Sequence, residues 1–184
     1  IDTTAWDPTA DDDLAQKFSA NTINLREANK LALVERFGLD GADGPLFCVV
    51  SRLTDQKGMD LLLQVIDGLV DLGGRLVVLG SGESYLEDGF RHQSVVHPGK
   101  VSIANGYNEA LSHLMQGGAD AIVIPSRFEP CGLTQLYALR YGCVPVVSRI
   151  GGLADAVIHA NPAAVAAEVA TGVVFEPNSA QALY

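Results

Sequence analysis

Short apolar runs alternate with helical patterns along most of the chain. Residues 46–51 form one such run, and its pattern is typical of a strand that is buried on both faces. Further strands are predicted at 75–79, 101–104, 121–124, 144–147 and 172–175. The segments between the strands carry apolar residues at steps of three and four, which is the helical period. This alternation predicts a parallel sheet covered by helices on both sides, a doubly wound α/β fold.

Glycines mark the ends of several predicted helices, because a left-handed residue commonly closes a helix. The predicted helices run from about residue 22 to Gly38, from 59 to Gly73-Gly74, and over 84–92, 109–116, 133–141 and 153–159. A turn is predicted at 40–45, where Gly, Asp and Pro cluster.

The two ends of the chain differ from this alternating region. Residues 1–13 contain five Asp and no Lys or Arg, which favours a connector that runs over the surface. Ser179 is interpreted as a helix N-cap, yet only residues 180–184 follow it, fewer than a helix needs to sustain itself. We therefore expect an excised piece of a longer protein, with a connector and helix at 1–44 and a domain at 45–184 that is truncated at its carboxyl end.

Composition narrows the classes of function. Hydrophobic residues make up 48% of the chain and charged residues 18%, which argues against disorder and against a coiled coil. The apolar runs are far too short for a membrane span, so a soluble protein is expected. A net charge of -10 repels nucleic acid and anionic membranes, so a phosphate ligand would need a local basic pocket. Cys48, Cys131 and Cys143 are odd in number and lack metal-ligand spacing, which fits a reducing cytoplasm.

In a doubly wound sheet, ligands bind beyond the carboxyl ends of the strands. After the first strand, Arg52 and Lys57 flank a loop that leads into a helix, and helix amides with two cations would form an anion site. The alternative is that both are solvated loop charges. The segment Gly80-Ser81-Gly82 follows the second strand, but Tyr85 stands where a dinucleotide fingerprint needs a third glycine, which excludes an NAD site.

The loop after the fourth strand carries the densest group of candidates. Pro130 and Gly132 leave backbone amides open to an anion at the start of the next helix. Glu129 could face a sugar or could cap the helix, and Cys131 could be a thiolate or an inert thiol. Gly151-Gly152, after the fifth strand, fits either an anion site or a simple turn.

Other residues give weaker signals. Tyr107, which follows the third strand, could stack on a base or pack at the rim. The four histidines share no spacing and are interpreted as structural or solvated.

Two of these segments, at 51–62 and 125–142, closely resemble the bacterial glycogen synthase and plant starch synthase family. The opening at 1–8 and the helix with Asn29 and Lys30 are similar to that family's interdomain connector. The resemblance implies a retaining GT-B glucosyltransferase, in which two Rossmann-like halves face each other across a cleft. Such an enzyme transfers glucose from ADP-glucose to the non-reducing end of an α-1,4-glucan, with no metal and no cofactor. This chain would be the carboxyl-terminal half, inactive without the amino-terminal acceptor domain.

The resemblance also implies roles for individual residues. Arg52 and Lys57 would hold the diphosphate and stabilise the leaving ADP, and Glu129 would bind the glucosyl hydroxyls. The remaining implied contacts are stacking of adenine on Tyr107, a cavity wall at Gly80 and Gly82, backbone amides from Gly132, Leu133 and Thr134, and Cys131 beside the sugar.

Two positions depart from related patterns. Tyr137 replaces a second Glu that many related transferases carry eight positions after the first, and Ile150 replaces the usual Thr before the glycine pair. Two alternatives stay open: a transferase that uses another nucleotide sugar, and a non-catalytic nucleotide- or glucan-binding module.

Overall fold

A six-stranded parallel sheet organises the residues that the structure, a computed structural model, describes, namely 1–41 and 43–184. Its strands are β1 (Leu46–Val50), β2 (Arg75–Gly80), β3 (Val101–Asn105), β4 (Ala121–Ile124), β5 (Val144–Ser148) and β6 (Val173–Phe175). They lie in the order β3-β2-β1-β4-β5-β6, so the direction of winding reverses between β1 and β4. The predicted doubly wound fold is confirmed, and its crevice lies beyond the carboxyl ends of β1 and β4.

Helices occupy the segments between the strands. They are α1 (Arg26–Phe37), α2 (Met59–Leu63), α3 (Ile66–Asp71), α4 (Ser84–Val96), α5 (Glu109–Gly118), α6 (Thr134–Tyr141), α7 (Gly151–Ala156), α8 (Pro162–Ala166) and α9 (Ala180–Leu183). Short 3₁₀ segments cover Ala20–Leu25, which has a kink at Thr22, and Asp55–Lys57. The predicted turn at 40–45 includes Ala42, which lies outside the described residues.

Several predicted helices have different bounds. The helix expected from residue 59 to Gly73 is two helices, because the Val65 amide donates to the Leu62 carbonyl at 3.0 Å in a tighter turn. The helix expected at 153–159 is wrong in extent: α7 ends at Ala156, and His159 instead forms a parallel bridge with Gly172. The short helix α8 was not predicted, although its side-chain cap Asn161 and its first residue Pro162 are standard start signals.

Alternate strand residues pack on opposite faces of the sheet, which explains why the strands read as continuous apolar runs. Cys48 and Val77 belong to the cluster on one face, where α1 adds Leu33. Val49 and Val78 belong to the cluster on the other face. A parallel sheet that is covered on both sides buries every side chain in its central strands.

The prediction that residues 1–13 run over the surface is wrong for part of the segment. Trp6 is 8% exposed, and its ring stacks between His113 and Tyr137 with centroid distances of 3.8 Å to each. Asp11 is also buried, where it accepts a hydrogen bond from the Tyr141 hydroxyl at 2.5 Å and contacts His113 Nδ1 at 2.7 Å. The five Asp residues predicted an exposed segment, but the ring of Trp6 packs the segment against α5 and α6.

Candidate functional site

The loop after β1 crosses directly over the end of β4. Gly58 has a φ of 69°, and a Cβ atom there would overlap the carbonyl oxygen of Pro125. Glycine therefore permits both the left-handed conformation and the close approach. The crossing places the 3₁₀ turn Asp55–Lys57 beside the loop that follows β4.

Arg127 links these two loops through hydrogen bonds. Its guanidinium donates to both carboxylate oxygens of Asp60, at 2.5 and 2.8 Å, and to the carbonyl of Asp55 at 2.6 Å. Its backbone amide donates to the backbone carbonyl of Gln56 at 2.9 Å. The Arg127 hydrogen bonds lower the pKa of Asp60 below its usual range, so the pair is charged at neutral pH.

Lys57 and Glu129, which come from these two loops, form an ion pair. Their side chains are 18% and 14% exposed, and both line a small recess of about 30 Å³ with Ser126 and Thr134. Arg52 is exposed at the mouth of a larger cavity and makes no ion pair with any described residue. The structure therefore brings Lys57 and Glu129 into direct contact, whereas Arg52 lines the larger cavity and not the recess.

Backbone amides point out of the loop between β4 and α6. Those of Gly132, Leu133 and Thr134 donate to no acceptor within residues 1–41 and 43–184. Gly132 has a φ of 72°, which turns the chain into α6. Free amides at a helix start, together with the helix dipole, favour an anion at this end of α6. Cys131 and Leu133 are exposed beside the same amides.

The glycine pair after β5 supports the Glu129 loop. The Gly152 amide donates to the Glu129 carbonyl at 3.1 Å, and a Cβ on either glycine would overlap that loop's backbone. The Gly152 amide is therefore already used within the protein, which at this residue favours the predicted turn over the predicted anion site. Ile150 packs its side chain against the apolar cluster around Val147 and Leu153.

A cavity of about 360 Å³ adjoins the recess, with Thr134 lining both. Arg52, Gly80 and Tyr107 also line the cavity. Tyr107 is 81% exposed, and its hydroxyl donates to Glu109 Oε2 at 3.0 Å, which raises the pKa of the tyrosine. The cavity is large enough for part of a nucleotide, and its aromatic wall suits a base.

Glycines at the end of β2 have a packing role. A Cβ on Gly80 would overlap the carbonyl of Ser51, and one on Gly82 would overlap that of Leu53. Gly82 pairs with Leu53 in a parallel bridge, whereas Gly80 also lines the cavity. Both glycines thus let the loop after β1 lie close against the end of β2.

Several further residues line the cavity that the sequence did not assign to the site. Among them are Trp6, Glu109, Ser112, Gln116 and Tyr137. Glu109, Ser112 and Gln116 share the spacing of one helix face, which was a usable signal once α5 was placed. No local pattern brings Trp6 there, since its contacts lie more than one hundred residues away in the chain.

His113 has a structural environment, as expected. Ligand atoms of Asp11, Asp13 and His113 lie within 4.8 Å of one another. The contacts of Asp11 with His113 and Tyr141, beneath the Trp6 ring, account for the buried members of this cluster as a hydrogen-bonding network.

Comparison with known proteins identifies related sequences. The sequence profile of the family "Glycosyl transferases group 1" matches residues 35–184. A glycogen synthase of Mesorhizobium japonicum is 58% identical over 183 residues, which are 100% of this chain and 38% of the relative. A glycogen synthase of Novosphingobium aromaticivorans is 60% identical over 176 residues, 96% of this chain and 36% of the relative. The chain thus spans well under half the length of these relatives, and the resemblance recognised in the loop segments is confirmed.

Two solved structures are also similar to this chain. The catalytic domain of starch synthase IV from Arabidopsis thaliana, bound to ADP and acarbose, has a TM-score of 0.90 and 34% identity, over 100% of this chain and 38% of that chain. The carboxyl-terminal domain of a group 1 glycosyl transferase from Francisella tularensis shares the fold, with a TM-score of 0.67 at 16% identity, over 98% of this chain and 82% of that chain. Within the described ranges, every helix is too short or too polar to cross a bilayer.

Proposed function

This chain belongs to the glycosyl transferases of group 1, and from that premise we propose that it is the donor-binding, carboxyl-terminal part of a glycogen synthase. The enzyme transfers glucose from ADP-glucose to the non-reducing end of an α-1,4-glucan with retention. An amino-terminal half supplies the acceptor side of the cleft. The chain's share of its relatives, 36–38% of their length, supports such a division.

The observation that carries the proposal is the convergence at the ends of β1 and β4. The cation Lys57 and the carboxylate Glu129 line one recess with Thr134, the first residue of α6, whose amide is open, and the recess adjoins a cavity of about 360 Å³. A nucleotide diphosphate needs the cation and the amides, and a sugar needs the carboxylate as a hydrogen-bond acceptor. A nucleotide sugar needs both kinds of group close together, at the point where its diphosphate is bonded to its sugar.

The ion pair suggests how the donor engages the recess. Without ligand, Lys57 and Glu129 neutralise each other in a largely buried position. A bound diphosphate offers Lys57 a second anionic partner, so the Glu129 oxygens become available to the glucosyl hydroxyls. As the bond between glucose and phosphate breaks, negative charge grows on the departing ADP. Lys57, Arg52 and the amides of Gly132 and Leu133 stabilise that charge, which lowers the barrier.

Three relatives support the assignment of substrate. Two glycogen synthases are 58% and 60% identical over nearly the whole chain, and the starch synthase IV structure was solved with ADP and acarbose. In this proposal Tyr107 stacks on adenine, and Thr134 lies between the nucleotide cavity and the phosphate recess. The reaction takes place in the cytoplasm, where the thiols of Cys48, Cys131 and Cys143 stay free, as they are in the structure.

The direct test is glucose transfer by the full-length enzyme. With maltooligosaccharide as acceptor, ADP-glucose should give elongated glucan and free ADP, and UDP-glucose should be a much poorer donor. Glu129→Gln should lower kcat by about 10²–10³-fold in an enzyme that is still folded at the assay temperature, although it loses up to about 1–3 kcal/mol of stability because Lys57 is left without its counter-ion. A normal rate in this variant would remove Glu129 from the mechanism, and equal use of both donors would contradict the choice of ADP-glucose.

A further inference from the structure

Arg127 holds the segment that carries Lys57 at points on both sides of that lysine. Its contacts are the carbonyls of Asp55 at 2.6 Å and Gln56 at 2.9 Å, which precede the lysine, and the carboxylate of Asp60 at 2.5 and 2.8 Å, which follows it. A guanidinium that binds a carboxylate through two nitrogens fixes direction as well as distance. Apart from the Lys57–Glu129 pair, every hydrogen bond between residues 54–60 and 125–133 in the described chain involves Arg127.

The loop that carries Glu129 is fixed from its other side. The carbonyl of the buried residue Ser126 accepts a hydrogen bond from the Ser148 hydroxyl, at the end of β5, at 2.5 Å. The Glu129 carbonyl accepts another from the Gly152 amide in α7 at 3.1 Å. This loop therefore has anchors that do not involve Arg127, and the arginine connects the 3₁₀ turn to a loop that is already held in place.

The turn needs this connection most when a donor binds. In the ligand-free structure the ion pair itself keeps Lys57 next to Glu129. In the proposed function the diphosphate engages the lysine and the sugar engages the carboxylate, so the ion pair no longer joins the two loops. The contacts of Arg127 involve neither of these side chains and remain. Their effect on the rate can be large, because a displacement of about 1 Å in a reacting site costs about 100-fold.

We propose that Arg127 is a positioning residue that keeps Lys57 at the phosphate recess while the bond between glucose and ADP breaks. The proposal rests on the proposed function and names the residue that holds its cation in place. Arg127 is not among the described residues that line the recess or the cavity, so its effect on the donor goes through Lys57. A lysine in its place would keep the charge but lose the planar fork that binds a carboxylate and a carbonyl together.

The test is a double-mutant cycle on glucose transfer by the full-length enzyme, with ADP-glucose as donor and maltooligosaccharide as acceptor. Arg127→Lys is made in the wild type and in Lys57→Met, and kcat is measured in all four proteins. Asp60→Asn weakens the same contact from the side of α2 and serves as the second variant if Arg127→Lys misfolds.

Arg140→Lys is the matched control. Arg140 also joins two distant segments, because its guanidinium donates to the Trp6 carbonyl at 3.3 Å and lies 3.6 Å from a carboxylate oxygen of Asp7. The arginine and the carboxylate are 43% and 27% exposed in this pair, against 39% and 28% in the Arg127–Asp60 pair. Arg140 lies in the last turn of α6, at the opposite end of the helix from the recess.

Arg127→Lys should lower kcat by about tenfold in the wild type but by less than about twofold in Lys57→Met, because an absent lysine cannot be misplaced. Asp60→Asn should show the same dependence on Lys57. Arg140→Lys should leave kcat within about twofold in both backgrounds. Partly exposed ion pairs contribute little to stability, so the single arginine variants should stay folded at the assay temperature, which their melting temperatures check.

Two results would overturn the inference. If kcat of Arg127→Lys stayed within about twofold of the wild type, Lys57 would not need the arginine. If kcat fell equally with and without Lys57, Arg127 would act on the general structure or on another group. In both cases the wild type still transfers glucose and Lys57→Met still lowers kcat, so the proposed function stands. Absence of transfer by the wild type would instead remove the proposed function and this inference together.

Discussion

At the scale of single residues, the Lys57–Glu129 pair links stability to chemistry. Each side chain is less than one-fifth exposed, so each depends on the other to offset the cost of burying its charge. The sequence predicted separate roles for them, Lys57 on phosphate and Glu129 on sugar, and it did not predict their contact, because they lie seventy-two residues apart in the chain. Their contact depends on the crossing of two loops, which no local pattern encodes.

Lys57→Met should therefore reduce both stability and activity. It leaves the Glu129 carboxylate unpaired, which should destabilise the full-length enzyme by about 1–3 kcal/mol. It also removes a cation from the leaving diphosphate, so kcat should fall by 10²-fold or more. Chemical denaturation and the rate of ADP release measure the two effects.

The double variant Lys57→Met/Glu129→Gln separates these effects. It contains no unpaired charge, so most of the lost stability should return while activity stays low. If the double variant were as unstable as Lys57→Met alone, desolvation of Glu129 would not explain the loss.

Asp60 should make stability depend on pH through Arg127. Its pKa is lowered in the folded protein by the Arg127 hydrogen bonds, so the folded state favours the carboxylate. This stabilisation is fully present above the unfolded pKa of about 4 and is lost as the pH falls through the lower folded value. The difference in unfolding free energy between wild type and Asp60→Asn should be constant from about pH 6 to 8 and shrink below about pH 4. A difference that persists unchanged at about pH 2 would contradict the ion pair.

The site residues that the sequence predicted share one property: each lies in a loop that follows a strand. Arg52, Lys57, Tyr107 and Glu129 are named by that rule alone, once the strands are placed. Gln116 and Trp6 do not follow this rule, because Gln116 lies within α5 and Trp6 lies in the acidic connector. Their proximity to the cavity follows from packing between distant segments.

At the scale of elements, two glycines in the same backbone conformation should respond differently to substitution. Gly38 and Gly58 have φ values of 63° and 69°, but a Cβ on Gly38 meets nothing within 4 Å, whereas one on Gly58 overlaps Pro125. Gly38→Ala should cost only the strain of the left-handed conformation, about 1–2 kcal/mol. Gly58→Ala should cost more than about 3 kcal/mol, because backbone must move as well. Denaturant midpoints compare them, and equal losses would show that the loop after β1 can shift freely.

The connector should affect the donor cavity through an aromatic stack. Trp6 lies between His113 and Tyr137, and both Trp6 and Tyr137 line the cavity. Trp6→Leu should destabilise the enzyme by about 2–4 kcal/mol and raise KM for ADP-glucose more than it changes kcat, since Tyr137 loses its support. Trp6→Phe, which keeps a stacked ring, should show a smaller effect on both. An unchanged KM in a destabilised Trp6→Leu variant would limit Trp6 to a role in folding.

Element types were easier to predict than element ends. The strands were predictable because burial on both faces gives each a short, mostly apolar run that is bounded by turn residues. The break between α2 and α3 was not, because Leu62 and Ile66 are both buried and keep a helical spacing across it. Spacing records which side chains face the core and is insensitive to a local change in the backbone.

At the scale of the whole molecule, a net charge of -10 coexists with a site for an anion because the site is local. The cation Lys57 lies in a recess at the crevice beside the open amides that begin α6, and short distances to these groups outweigh the diffuse field of distant carboxylates. The strand order places that recess at the edge where the winding reverses. Alternation predicted the sheet, but only the folded order could show which loops meet.

This arrangement predicts that the 184-residue chain binds nucleotide but does not transfer glucose. Both faces of its sheet are covered by apolar clusters, so the donor side should fold alone, while the acceptor side of the cleft is missing in the proposed division. Calorimetry should detect ADP at millimolar concentration, about 4 kcal/mol of binding free energy, and Lys57→Met should weaken it. No glucan should be elongated from ADP-glucose until an amino-terminal half is supplied. Transfer by the chain alone would refute the division of the site, and the absence of heat with a folded chain would mean that both halves are needed to form the recess.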